Sequence, residues 1–412
     1  MRSVALPGES AVVVPVNYSF KIKISRMHLS QKRNHVLDLL RGGAVLLVMF
    51  AHIYRPRINE SFDTFFLLLL KAISKLQMGG WTGVDLFFVL SGFLISSLLF
   101  KEYKKFGYVD FSRFFWRRWY KIIPSFVAFV LIASATEMWF GRFYPEARFP
   151  ASDYLKDLCF LDNYLDGRWE QTWSLDVEET FYIIFPLFLM VLIRMNKVKL
   201  RYFVYGYLSL VLIAVVSRYF ANTPHENFRL QFSLTHLRLD ALFFGVFLSF
   251  LHHTRHRSLD LLCKYQAYVI PVCLAALAIN FLVWRGGLKS VILLSSTPVA
   301  YGLLMMIAIR VNGLSFKPLS ILGQYSYNIY LWHFPLYYYS KDLIRVLHIN
   351  PQTLSGYLSY IALYFIIGIG AGILFTHLVE KPFLRLRDSR IPSLTGPVLR
   401  SLEESSPSLA VG

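Results

Sequence analysis

The chain has 412 residues, 55% hydrophobic and 17% aromatic, with mean hydropathy +0.46 and a formal charge of +18. These values exclude a disordered chain and an ordinary soluble domain, and point to a protein that crosses a membrane several times. A basic excess in a soluble protein would suggest nucleic acid; here basic cytoplasmic loops account for it, and no nucleic-acid partner is expected.

Residues 1–34 read as a loosely ordered cytoplasmic lead. Their apolar run is interrupted and basic residues follow it rather than precede it, so no secretory signal is expected. The first apolar segment, Val36 to Tyr54, contains Arg41 and His52. Eleven helical steps of about 100° return to within about 20° of the start, so both side chains share one face, about 16 Å apart along the axis. A cation and an imidazole are costly inside a membrane span and usually face a functional interior rather than lipid. The alternative is an arginine that snorkels to the headgroups above an unimportant histidine. Phe62 to Gln77 is too short and too interrupted by lysines to read as a span. It reads as an amphipathic interfacial helix, with a re-entrant piece as the alternative.

Ten apolar segments follow one another: 36–54, 81–100, 122–140, 175–195, 202–220, 232–251, 267–284, 290–309, 319–339 and 356–378. Each is near the length a membrane-crossing helix needs, and a helix satisfies its own backbone hydrogen bonds in lipid. With the N-terminus in the cytoplasm, the cytoplasmic segments carry 26 Lys and Arg against 13 on the other side. The predicted fold is an all-α polytopic bundle of about ten transmembrane helices, with both termini cytoplasmic. Residues 389–412 are Ser- and Pro-rich and read as a disordered cytoplasmic tail. The cysteines, Cys159, Cys263 and Cys273, suggest neither a metal motif nor a disulfide framework.

Several ionisable residues fall in or beside these segments: Asp85 in GWTGVDLFFVLSG, Glu178 and Glu179 in WSLDVEETFY, Arg238 and Asp240 in HLRLDALFFG, and His333 in YLWHFP. Each has a structural alternative. Asp85 reads equally as an interfacial cap and Asp240 as the partner of Arg238. The two glutamates open a helix whose dipole favours them, and His333 fits an interfacial aromatic belt. Asp85, Glu178 and His52 all fall near the outer ends of their spans, where they are expected to line one outward-facing polar cavity. In the cytoplasmic loop, Arg113, Arg117 and Lys121 recur at i, i+4 and i+8, and Arg118 lies three residues before Lys121. The loop reads either as a stop signal for the next span or as a site for an anionic nucleotide, with aromatics beside it for stacking.

The segments LDLLRGGAVLLVMFAH, GVDLFFVLSGFLI, RRWYKIIP, WSLDVEETFYIIFPL, HLRLDALFFG, LGQYSYNIYLWHFPL and VEKPF resemble, in order, the motifs of the acyltransferase 3 family, across about residues 34–388. Members of this family acylate carbohydrates and other acceptors at the bacterial envelope. By that resemblance residues 35–388 form the membrane acyltransferase domain. Arg41 and His52 match the family's essential Arg/His pair. Trp173, Ser174 and Glu178 match its Trp-Ser-Leu-x-Val-Glu element, and Tyr327 and His333 match its Ser-Tyr-x-Ile-Tyr-Leu-Trp-His element. The family's cytoplasmic Arg-x-x-Arg stands here as Arg118-Trp119-Tyr120-Lys121, which keeps the charge but loses one planar fork; Arg117 is the candidate substitute. Many relatives carry a fused esterase-like domain, and this chain is expected to be a standalone version.

The resemblance implies no bound cofactor and no metal, with acyl-CoA, chiefly acetyl-CoA, as co-substrate. It implies a lipid-linked or nascent glycan as acceptor, such as O-antigen or exopolysaccharide, and a place in the bacterial inner membrane among its lipids. His52 is expected to act as general base or to carry the acyl group, with Glu178 or Asp85 orienting it. Arg41 is expected to contact the donor, and Arg113, Arg117, Arg118 and Lys121 to receive its nucleotide. The competing reading is a transporter or flippase of a glycan precursor, and a third is a non-catalytic scaffold.

Overall fold

The computed structural model describes residues 35–56, 63–140, 150–221, 232–282, 288–311 and 314–393, and every regular element among them is helical. The expected lead (1–34) and the tail beyond Ser393 lie outside the described residues. In chain order the longer helices are α1 (His35–Ala51), α2 (Thr64–Gly80), α3 (Thr82–Phe106) and α4 (Phe111–Phe140). Two short helices follow, α5 (Ala151–Leu158) and α6 (Asp162–Leu165), then α7 (Trp173–Arg194), α8 (Leu200–Phe220) and α9 (Leu239–His253). The remainder are α10 (Arg257–Lys264), α11 (Gln266–Leu282), α12 (Leu288–Val311), α13 (Lys317–Tyr338), α14 (Ser340–Val346), α15 (Leu354–Phe375) and α16 (Lys381–Arg390). This is an all-α membrane helix bundle.

Each of the ten apolar segments read from the sequence coincides with a long helix. By length and composition, however, five helical runs among the described residues qualify as spans, or six if α10 and α11, bent by 83°, count as one. The expected count of about ten is not reached on those criteria. The helices that fall short are informative: α1, α7 and α13 carry Arg41, Glu178, Glu179 and the Tyr-rich Ser-Tyr-Asn stretch into the bundle. α1 falls short by length, at 17 residues, whereas the polar residues of α7 and α13 lower their hydropathy; residues of all three build the chambers described below.

Local signals set the helix ends. The Asp63 carboxylate accepts from the Phe66 N–H at 2.8 Å and starts α2; Thr353 does the same for Gly356 at 3.2 Å at the start of α15. Gly107, in the left-handed region at φ 76°, ends α3. The segment expected to be interfacial is thus a 17-residue helix that packs on α1 and α11 and runs through Trp81 into α3. A π turn, Thr376–Glu380, joins α15 to α16. It lies just before Pro382, which has no N–H to donate to the Leu378 carbonyl.

The bundle centres on α1, which packs against α3 and α13, while α3 packs on α9 and α13 on α15. Small residues allow the closest crossing. A Cβ on Gly42 would overlap the Leu319 carbonyl of α13, and one on Gly323 would overlap the Asp38 carbonyl of α1. Without water to drive association, such backbone-to-backbone packing is a main source of helix affinity. Over one end of the bundle, residues 150–172 form a small cap built on buried polar contacts. Arg168 forms an ion pair with Glu137, and Asp157 accepts from the Arg168 N–H at 3.1 Å and the Thr172 hydroxyl at 3.3 Å.

Candidate active site

Three cavities follow one another from the Arg-rich end of the bundle to the end carrying the cap. The first is a basic vestibule of about 200 Å³, lined by Glu102, Arg113, Arg117, Arg118, Lys121, Arg387 and Ser393. Arg113 lies 3.4 Å from Asp110, and Arg117 bonds Asp388 at 3.0 Å and the Ile391 carbonyl. The four cations expected to receive a nucleotide therefore all line one vestibule. Arg387, which holds Asp388 bidentately at 2.9 and 3.0 Å, joins them from α16. Arg387 lies six residues after the lysine of VEKPF and was not singled out in the sequence.

Arg118 and Lys121 also line the second cavity, a chamber of about 130 Å³. It gathers Arg41 from α1, Ser91 from α3, Ser174, Glu178, Glu179 and Tyr182 from α7, Tyr327 and Tyr330 from α13, and Glu380 from the π turn. Three cations thus face three carboxylates inside walls of Phe, Leu, Val and Ile. Glu178 accepts from the Ser91 hydroxyl at 3.1 Å and from Tyr182, and the Arg118 guanidinium lies 5.4 Å from the Tyr182 ring centre. Tyr327 donates to the Ile122 carbonyl at 3.0 Å. Asn328 donates to Glu380 at 2.7 Å and to Thr376 at 3.0 Å, fixing the π turn that delivers the carboxylate. Arg41 reaches Asp38, one turn back, at 3.9 Å.

The third cavity, about 550 Å³, is lined by His52, Gln77, Trp81, Glu170, Gln171, Trp173 and Phe334, among others. His52 sits just past the end of α1, with Nδ1 2.9 Å from the Val48 carbonyl and 3.4 Å from His333 Nε2. His333 is fully buried. Val84 and Tyr330 line both the second and third chambers and form the partition between them. The Tyr330 hydroxyl donates to the Gln171 carbonyl at 2.9 Å and lies 2.7 Å from the Ser174 hydroxyl.

This arrangement corrects several expectations. Asp85 and Glu178 do not join His52 in one cavity. Asp85 is fully buried in an ion pair with Arg238, whose guanidinium also lies 4.7 Å from the Phe232 ring centre and 5.8 Å from that of Trp173. Glu178 is bonded within the Arg41 chamber, so neither carboxylate orients the histidine. Asp240 pairs with Arg218 of α8 at 2.8 Å rather than with Arg238. Residues two apart at a helix start point to different sides, and each finds its partner on another helix. Sequence reasoning missed Ser91, Tyr182, Tyr330 and Glu380 as chamber residues, and Gln77 and Gln171 beside His52. Ser91, Tyr182, Tyr330 and Glu380 all lie inside quoted motifs without being singled out there; the amides of Gln77 and Gln171 lie outside them and carry no comparable signal.

Chemically, the series offers cations at one end, a polar passage with apolar walls, and an imidazole in a roomier chamber at the other. A family model described as an acyltransferase domain matches residues 34–377. Among similar proteins are the O-acetyltransferase OatA of Staphylococcus aureus, 25% identical over 361 residues, covering 77% of this chain and 57% of the relative. The putative peptidoglycan O-acetyltransferase YrhL of Bacillus subtilis is 28% identical over 384 residues, 86% of this chain and 56% of the relative. The peptidoglycan O-acetyltransferase OatA of Listeria monocytogenes is 26% identical over 304 residues, 66% and 47% respectively. The chain therefore spans about half the length of these relatives. No solved structure matches it. With its domain over residues 34–377, the chain belongs to the acyltransferase 3 family.

Proposed function

We propose that the chain is a membrane O-acyltransferase that moves an acetyl group from acetyl-CoA in the cytoplasm to a hydroxyl of an envelope glycan on the other face of the inner membrane. The observation that carries this reading is the in-line order of vestibule, Arg41 chamber and His52 chamber. The vestibule's arginines and Lys121 match the phosphates of the nucleotide, and their place on the Lys/Arg-rich side fits a cytoplasmic donor. The donor's arm runs through the Arg41 chamber, and its thioester meets the acceptor at Tyr330 and His52. There the imidazole takes the hydroxyl proton, the oxygen attacks the thioester carbonyl and the C–S bond breaks. The proton then returns to the leaving thiolate.

The names of the relatives favour a glycan acceptor and an acetyl group. Peptidoglycan, O-antigen and exopolysaccharide are the acceptor classes to compare. Mass spectrometry of surface glycans from cells with the gene, without it, and with His52→Ala tests the reading. One acetyl increment per modified unit, lost in both the deletion and the variant, is expected. Unchanged acetylation with glycan stranded inside would replace it with glycan transport.

A further inference from the structure

We infer that His333 is a positioning residue that holds His52 as the Nδ1–H tautomer and so makes Nε2 its reactive nitrogen. The inference rests on the proposed role of His52 as base and adds which atom does the work and what selects it.

The argument is one of donors and acceptors. A backbone carbonyl only accepts, so a ring nitrogen bonded to one carries the proton. His333 Nδ1 lies 2.6 Å from the Tyr330 carbonyl and is therefore the protonated nitrogen of that ring. Its Nε2 is then a bare acceptor, and it faces His52 Nδ1 at 3.4 Å. His52 Nδ1 in turn lies 2.9 Å from the Val48 carbonyl, so it too carries its proton, shared between the carbonyl and His333 Nε2. For two neutral rings, only this arrangement avoids placing a lone pair against a carbonyl or two N–H groups against each other. The lone pair of His52 is left on Nε2.

The surroundings make the selection firm. His333 is fully buried, so no water relieves a wrong tautomer. The two imidazoles meet edge-on at 5.2 Å and 62°, and the rings of Phe334 and Tyr337 sit 5.3 and 5.4 Å from His52. When His52 takes a proton at Nε2, the positive charge reaches Nδ1–H, where His333 Nε2 accepts from it. His333 thus fills the place a carboxylate holds in a hydrolytic triad, with a neutral group suited to its buried position. His333 acts through His52 and need not touch either substrate.

The test uses the full chain in lipid nanodiscs with 15N-labelled histidine, the His52 signals being identified by subtraction of a His52→Ala spectrum. The wild type should show His52 with a protonated Nδ1 and a bare Nε2, and His333→Leu should show a mixture of tautomers. A wild-type His52 protonated at Nε2 would overturn the inference without reference to activity. Kinetics in membranes supplied with acetyl-CoA gives the second readout. His333→Gln places an amide oxygen where Nε2 stands, whereas the shorter His333→Asn places its amide N–H near Nδ1, against the Tyr330 carbonyl, and offers no acceptor at the Nε2 position. The Leu and Asn variants should lose about tenfold or more in kcat, a part of what a general base contributes, with KM for acetyl-CoA within about twofold. His333→Gln should recover most of it; equal losses for Gln and Asn would refute the acceptor role. Full activity of His52→Ala would instead remove the underlying mechanism, and leaves the tautomer measurement standing on its own.

Discussion

Arg41 and His52 lie on one face at α1 and its C-terminal end, yet they open into different cavities. Arg41 lines the chamber shared with Arg118 and Lys121, and His52 lines the one beneath the cap. Tyr330 belongs to both linings and is pinned by the Gln171 carbonyl and Ser174. One phenol ring and Val84 thereby separate the two chambers, which the proposed mechanism gives to donor and acceptor.

The partition should keep water from the thioester until an acceptor arrives. Tyr330→Ala joins the chambers and should raise acetyl-CoA hydrolysis measured as free thiol without acceptor, while transfer falls on the order of a hundredfold through misplacement. Tyr330→Phe keeps the ring and loses only its hydrogen bonds, about 1 kcal/mol of stability. Hydrolysis by the Ala variant no greater than wild type would show that Tyr330 is not a barrier.

The two glycines after Arg41 should behave oppositely. A Cβ on Gly42 would strike the Leu319 carbonyl, whereas one on Gly43 meets nothing within 4 Å. Gly42→Ala should force α1 and α13 apart at a cost of about 1–3 kcal/mol and reduce transfer. Gly43→Ala should be neutral in both. Thermal unfolding in detergent and glycan acetylation measure the pair, and equal effects would contradict the close crossing.

Asp85 and Arg238 should prove structural. Breaking a buried pair by removing one partner costs about 3–5 kcal/mol because the other charge is left uncompensated. Asp85→Asn or Arg238→Met should therefore lower the amount and melting temperature of folded protein, and Asp85→Leu with Arg238→Met should recover much of it. A stable but inactive Asp85→Asn protein would return Asp85 to the catalytic residues.

How much of this was legible in the sequence depends on what each residue needs from its surroundings. Arg41 and His52 stood out because lipid has no use for them, and the helical period alone placed them on one face. Asp85, Arg238, Asp240 and Glu178 were equally visible as misplaced charges. Their partners were not, since the pairing of Asp85 with a residue 153 positions away is decided by how α3 and α9 cross. Gln77 and Gln171 left no trace because a neutral amide costs a helix little, and Ser91, though inside a quoted motif, was not singled out for the same reason. The four cations of the basic loop, spaced in the sequence to share a helical face, line one cavity, but the contribution of Arg387 depends on the π turn before Pro382, which hydropathy does not register.

The cap should carry a pH dependence. Burial, and then the neighbouring Asp162, raise the Asp157 carboxyl to about 7. The folded state therefore holds a proton that the unfolded chain has released above about pH 4, so this group's contribution to stability falls as pH rises from about 4 to about 7. The slope is at most about 1.4 kcal/mol per pH unit. The melting temperature of Asp157→Asn should rise relative to that of the wild type as pH goes from about 4 to about 8; a difference that does not change with pH would exclude this titration.

The most direct test of the account is sided. In the proposed orientation, inside-out vesicles from cells making the protein expose the vestibule and enclose the glycan acceptors in the lumen. Radiolabelled acetyl-CoA added outside should deliver label to lumenal glycan with wild-type protein and not with His52→Ala. Label appearing only after the vesicles are opened, or appearing equally with His52→Ala, would contradict a transfer that runs through the bundle from Arg41 to His52.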